Sequence, residues 1–151
     1  MKKIALFCIL FSSGNVLAET KQLICTVSAK SEMERLLSLK ANGNPIPEEI
    51  ISKCQTAEFG LRSIFTFDTS ILRSSEKANV EVIRAHSCGE AVNEFTGTVS
   101  SSPTAITFDY MGIPKQEFIV DRKTLKGGNK YPGDLNYTCI LRDIDTSKNL
   151  I

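Results

Sequence analysis

The side chains that most often carry catalysis or metal binding are few in this chain and poorly spaced for either. His86 is its one histidine, so a zinc site built from histidine and cysteine has little support. His86 and Ser87 are neighbours on a predicted strand and point to opposite faces, which excludes a base and nucleophile pair. His86 and Cys88 would share a face, but Cys88 would have to be a free thiol. We therefore expect no metal, no cofactor and no cysteine-based catalysis.

Paired carboxylates are the remaining catalytic possibility, because glycoside hydrolysis uses two acids held about 5 to 10 Å apart in a cleft. Glu90 and Glu94 lie near a predicted turn, and Asp109 lies on the wet face of a predicted strand. A cleft that holds two of these three acids would favour a cell-envelope hydrolase. Solvated turns and strand faces explain each acid without such a cleft, so we name no catalytic residue and favour a protein that is not an enzyme.

A basic segment near the C-terminus is the best candidate for binding. Residues 122–132 combine four cations with two glycines and Tyr131, a composition typical of an exposed loop. Long loops on rigid β scaffolds collect binding residues, so Lys126, Lys130 and Tyr131 are predicted to face an acidic partner. The alternative is a solvated connection between two strands.

Four cysteines beyond the N-terminal segment predict two disulfides: Cys25, Cys54, Cys88 and Cys139. An even count in an exported chain is typical of a disulfide framework, and no pair has Cys-x-x-Cys spacing. Three connectivities are open. The strand order favours Cys25 with Cys139 and Cys54 with Cys88, because the first and last strands lie side by side if the sheet closes.

Alternation of apolar and polar residues predicts a single, mainly β domain over residues 19–151. We expect a small antiparallel barrel or sandwich of seven to eight strands. Residues 95–99 and 106–110 give the clearest strands and form a hairpin around a turn that contains Pro103. The expected core is Leu23, Val27, Phe65, Phe67, Val80, Val82, Phe95, Val99, Ile106, Phe108, Phe118, Val120, Tyr137 and Leu141.

Residues 31–55 are the exception, because their apolar side chains lie three and four positions apart. They predict two short helices inserted after the first strand. A capping box of Ser31 and Glu34 begins the first helix, and Pro47 occupies the first position of the second. Met33, Leu36 and Leu37 are expected to form the buried stripe of the first helix, and Ile50, Ile51 and Cys54 that of the second.

Residues 1–18 have the order of a secretory signal peptide: two lysines, an apolar run over residues 4–11, and a cleavage site near Ala18. The run is much shorter than the roughly 20 residues that span a bilayer, so no membrane anchor is expected. Cys8 lies inside the run, unlike the lipidated cysteine of bacterial lipoproteins. We expect a bacterial protein that is periplasmic or secreted after cleavage.

The charge balance excludes the classes of partner that select strongly basic surfaces. The whole chain has 18 basic and 17 acidic residues, so removal of the two N-terminal lysines leaves one more acidic residue than basic residues. Nucleic acid and anionic membranes are therefore poor candidates as partners. The chain also has no tryptophan, which limits stacking on sugars or bases.

Three features point to a known family: the signal peptide, the first strand Leu23-Ile24-Cys25-Thr26-Val27, and the closing strand Tyr137-Thr138-Cys139. In these features the chain resembles the membrane-bound and periplasmic inhibitors of C-type lysozyme. The resemblance is architectural and implies a small periplasmic barrel. The Ser-Gly-x-x-Tyr type loop of that family is not found here, and the helical insertion departs from it. We therefore carry over no site residue from this family.

The hypothesis that fits these observations best is an exported, non-enzymatic binding protein that acts on a protein partner as an inhibitor, immunity protein or accessory factor. The alternatives are a cell-envelope hydrolase and a structural subunit of a surface assembly. A small ligand is not excluded, and the sequence leaves the oligomeric state open.

Overall fold

The computed structural model describes residues 19–110, 116–130 and 136–144. Its strands form a closed antiparallel barrel in which neighbours in sequence pair and the last strand pairs with the first. The predicted signal peptide and Tyr131 lie outside the described residues. The elements in chain order are β1 (Thr20–Val27), α1 (Ala29–Ala41), α2 (Glu48–Cys54), β2 (Leu61–Asp68), a 3-10 turn (Thr69–Arg73), β3 (Ala78–His86), β4 (Ala91–Ser101), β5 (Ala105–Tyr110), β6 (Gln116–Asp121), β7 (Lys126–Asn129) and β8 (Tyr137–Asp143).

Aromatic side chains on the inward faces of the strands fill the barrel, as the period-two pattern predicts. The rings of Phe65 and Phe108 stack with centroids 4.0 Å apart, and Phe118 and Tyr137 meet edge to face at 5.0 Å. The predicted core residues are buried, with two exceptions. Phe95 is half-buried, and Leu141 is 41% exposed because β7 pairs with β8 only at the start of β8. The interior is thus a packed core.

The prediction of an exposed loop over residues 122–132 is wrong in its central part, because Lys126–Asn129 forms β7 and closes the barrel between β6 and β8. Two of its four residues are glycines, so the segment shows no apolar alternation. At Gly127, an added Cβ would lie 2.9 Å from the backbone oxygen of Ile119 and 3.0 Å from Phe118. Only a residue without a side chain allows β6 to pack this closely.

The first helix begins one turn earlier than predicted. Its N-cap is Ser28, whose side chain accepts a hydrogen bond from the backbone N–H of Ser31, so the expected capping box at Ser31 and Glu34 does not form. Leu36 is buried as predicted, but Leu37 is 46% exposed. The two leucines are neighbours on α1, and the helix presents only one of them to its packing partners.

The second helix begins at Glu48, and Pro47 is its N-cap rather than its first residue. Ile51 and Cys54 are buried as predicted, and they form a small apolar cluster with Leu36 of α1. This cluster is separate from the barrel core. The helices therefore form a small cap at the end of the barrel where β1 ends and β2 begins.

Both favoured disulfides are confirmed. Cys25–Cys139 joins β1 to β8, where the two residues are ladder partners. Cys54–Cys88 ties the end of α2 to the turn between β3 and β4. Two such bridges are consistent with an oxidising compartment. None of the helices in the described ranges is long and apolar enough to cross a membrane.

Candidate binding site at the helical end of the barrel

The predicted binding residues Lys126 and Lys130 lie on and just after β7. Both side chains are exposed, and the ammonium group of Lys130 donates to a carboxylate oxygen of Glu117 at 3.2 Å. Strand alternation places the two lysines on the outer face, because Gly127 faces inward. The third member of the predicted set, Tyr131, lies outside the described residues.

The three candidate acids lie apart. Glu90 pairs with Lys53 of α2 at 3.0 Å, and Asp109 pairs with Lys77 at 3.4 Å. Glu94 lines a shallow groove on the outer face of β2, β3 and β4. Neither Glu90 nor Asp109 lines this groove, so among the described residues these acids do not share a cleft.

A carboxylate that the sequence analysis did not single out is the most buried charged group described. Glu32 of α1 has no solvent exposure. Its position depends on Gly60, where an added Cβ would lie 2.4 Å from Cβ of Glu32 and 2.7 Å from the backbone oxygen of Ser28. The missing side chain at Gly60 lets the first turn of α1 pack directly against the chain that enters β2.

Two basic side chains surround the Glu32 carboxylate. Arg35 donates from Nε to Oε2 at 2.8 Å and from Nη2 to Oε1 at 2.6 Å, and Nε2 of His86 lies 3.0 Å from Oε1. Burial alone would raise the pKa of Glu32, but the hydrogen bonds and charges of Arg35 and His86 outweigh burial and hold that pKa below its ordinary value. Glu32 is thus an anion that fixes two basic groups.

A small basic pocket opens beside this cluster, between α1, β3 and β4. Its volume is about 270 Å³, and its lining is Arg35, Leu61, Arg84, Ala85, His86, Ala91, Asn93 and Phe95. Small-molecule sites usually measure about 300 to 1,000 Å³. The basic pocket is therefore sized for a single side chain or a small anion.

Arg84 distinguishes this pocket from an ordinary surface depression. The residue is half-buried, and its guanidinium has no hydrogen-bond or ion-pair partner in the described part of the chain. Its ladder partner Ser63 is 1% exposed, and Ser63 Oγ likewise has no hydrogen bond there. Glu32 already neutralises the charge of Arg35, so the positive charge of Arg84 has no acidic partner among the described residues. The pocket therefore has the electrostatics of an anion site.

Sequence reasoning considered His86 as a catalytic residue and as a metal ligand, and it missed the other members of the site. One signal was available: Arg84 and His86 continue the inward alternation of Val80 and Val82, which places a cation at a nominally interior position. Arg35 carried no such signal, because its contact with β3 depends on how α1 docks on the barrel.

The described residues contain no group of three or more His, Cys, Asp or Glu side chains arranged to hold a metal ion. In comparisons with known protein families, curated proteins and solved structures, no match to this chain was found. The site must therefore be interpreted from its own geometry.

Proposed function

We propose that this chain is an exported, non-enzymatic binding protein that acts by occupying a protein partner, as an inhibitor, immunity protein or accessory factor. The signal-peptide pattern of residues 1–18 and the two disulfides support export to the periplasm or the medium.

The observation that carries the proposal is the combination of a filled barrel with a small basic pocket at its helical end. Barrels that carry a ligand keep an interior cavity, whereas aromatic rings pack the centre of this one. Recognition therefore takes place on the outside. The basic pocket is too small for most whole ligands, but it fits one side chain of a larger partner.

The alternatives receive less support from the same geometry. Glu94 shares its groove on the outer face of the sheet with Glu81, but neither Glu90 nor Asp109 lines that groove, so the pair of candidate acids that would favour a hydrolase does not form among the described residues. A fibre subunit that accepts a donor strand would need a long free sheet edge. The described strands form a closed sheet, and the edges that it leaves open are partial: residues 91–96 of β4 have no β5 partner, and β8 lacks a β7 partner beyond Thr138.

Co-purification after export tests the proposal. The full-length chain with a C-terminal tag is expressed in a bacterium, and the mature protein is recovered in its oxidised form. We expect its mass to correspond to cleavage near Ala18. We also expect one protein to co-purify at a one-to-one ratio and to rebind when both components are purified.

The predicted lysines are tested in the same assay. If they contact the partner, Lys126→Ala combined with Lys130→Ala weakens capture. Lys30→Ala, which removes an exposed cation on α1, leaves capture unchanged. Catalytic turnover of a substrate by the purified chain, or the lack of any protein that rebinds, would contradict the proposed function.

A further inference from the structure

We infer that the basic pocket binds a carboxylate group that belongs to the protein partner, either an acidic side chain or a chain terminus, and that Arg84 is its main ligand. This inference rests on the proposed function, because the partner supplies the group. It adds the chemical class of the contact and the residues that make it.

The first step is the state of Arg84. A guanidinium is always charged, and its planar donors match the two oxygens of a carboxylate. Buried charges in folded proteins are usually paired, and Arg84, which is half-buried, has no partner among the described residues. On its two sides lie the ladder partners Ser63 and Asn93. Of these two, Asn93 lines the pocket, and its side-chain amide can donate a further hydrogen bond to a bound oxygen.

The second step concerns the other basic groups of the pocket. Glu32 is fully buried behind the pocket; it accepts two hydrogen bonds from Arg35, and its Oε1 lies 3.0 Å from Nε2 of His86. These two groups therefore cannot swing away from the pocket without leaving a buried carboxylate unpaired. Glu32 acts as a positioning residue, and the incoming anion meets basic groups that are already ordered.

The third step is the rest of the lining, which selects a carboxylate on a carbon stem over a bare inorganic anion. Leu61, Ala85, Ala91 and Phe95 contribute apolar walls to the same pocket. A phosphate or sulfate ion would leave these walls in water, whereas the methylene groups of a glutamate side chain would cover them. The combination of apolar walls and an arginine therefore suits an acidic side chain.

The test is a titration of the oxidised protein followed by NMR of its backbone amides and arginine Nε–H groups. The probes are acetyl-Ala-Glu-Ala-amide, its glutamine counterpart, the unblocked peptide Ala-Ala-Ala, sodium acetate and inorganic phosphate. We expect saturable shifts at Arg84, Arg35 and His86 with the glutamate peptide or with the free terminus of the unblocked peptide. Binding of the glutamine peptide should be weaker by about tenfold or more, since it lacks the charge-assisted hydrogen bonds.

Variants locate the site. Arg84→Ala should weaken binding of the acidic peptide by about tenfold, and Arg84→Lys should restore part of it because the charge returns without the planar donors. Arg73→Ala removes an exposed arginine at the opposite end of the barrel and should leave binding unchanged. Equal binding by the wild type and Arg84→Ala would overturn the inference.

The remaining outcomes separate this inference from the proposed function. If acetate or phosphate binds as tightly as the acidic peptide, the pocket takes a free anion and the inference is wrong. If the protein partner binds Arg84→Ala as well as the wild type, the proposed function stands and the inference fails. If the acidic peptide binds at Arg84 but no protein partner exists, the proposed function fails while the carboxylate site remains.

Discussion

Replacing Glu32 with glutamine tests whether the buried ion cluster is held by charge. The substitution keeps the size of the side chain but removes a negative charge at a position with no solvent exposure. A hydrogen bond to a charged group contributes about 1.5 to 3 kcal/mol, and Arg35 donates two to this carboxylate. One third of the Arg35 side chain is exposed (33%), so water can partly solvate the cation that remains. We therefore expect Glu32→Gln to lower the free energy of unfolding by about 2 to 4 kcal/mol at pH 7.

The effect of Glu32→Gln must depend on pH in a defined direction. The pKa of Glu32 is held below its ordinary value of 4.5, because Arg35 and His86 outweigh the effect of burial. A carboxyl whose pKa is lower in the folded state stabilises the protein above its unfolded pKa and loses this contribution as the pH falls through its folded pKa. The stability difference between wild type and variant should therefore be full above pH 4.5 and shrink in stronger acid.

Urea unfolding monitored by circular dichroism at several pH values measures this difference. Glu34→Gln is the matched control, because Glu34 lies on the same helix with an exposed side chain; surface substitutions of this kind change stability by about 0.5 kcal/mol or less. The reasoning is refuted if the two variants lose the same stability, or if the difference at Glu32 persists unchanged in strong acid.

The remaining predictions concern the bridges and the closest strand contact. In the chain-entropy description, removing Cys25–Cys139, with a sequence separation of 114, should lower the free energy of unfolding by about 5 kcal/mol. Removing Cys54–Cys88, with a separation of 34, should lower it by about 4 kcal/mol. Urea unfolding of the two double alanine variants measures both losses, and a larger loss for Cys54–Cys88 would contradict this prediction. Gly97→Ala should cost roughly 1 to 3 kcal/mol or more, because its Cβ would lie 2.2 Å from the backbone oxygen of Asp109. Thermal unfolding should show a lower Tm for Gly97→Ala than for the neighbouring Thr96→Ala, whose side chain is exposed.

The antiparallel strands and the presence of two disulfides were predictable from the sequence, because the strands depend on a pattern that repeats along the whole chain; the choice between barrel and sandwich and the connectivity of the disulfides stayed open. Leu23, Phe65 and Val82 lie on one inward row of neighbouring strands, and each belongs to a segment with clear alternation. Closure of the sheet makes the first and last strands neighbours, which favoured the pairing of Cys25 with Cys139, since both face inward; the register that sets them opposite each other comes from the structure.

The basic pocket was not predictable in the same way, because it depends on contacts between distant segments. Arg35 and Arg84 come from a helix and a strand whose relative position depends on the close approach of α1 at Gly60. In the sequence, Gly60 is a glycine that precedes a strand, as in many loops, so its type alone does not indicate the close approach of α1. β7 was missed for a related reason. Its sequence, Lys-Gly-Gly-Asn, has no apolar alternation, and its pairing depends on the close approach of β6 instead.

The helical insertion gives this barrel a rigid site that the strands alone would not provide. It is fixed to the β3–β4 end of the barrel at two points, the Cys54–Cys88 bridge and the ion cluster of Glu32 with His86. The walls of the basic pocket come from these same elements, so the pocket is ordered before any ligand arrives. Binding to an ordered site loses little conformational entropy, and the interaction energy of a few contacts then appears as affinity. A single carboxylate on a large partner can therefore serve as an anchor at this end of the barrel.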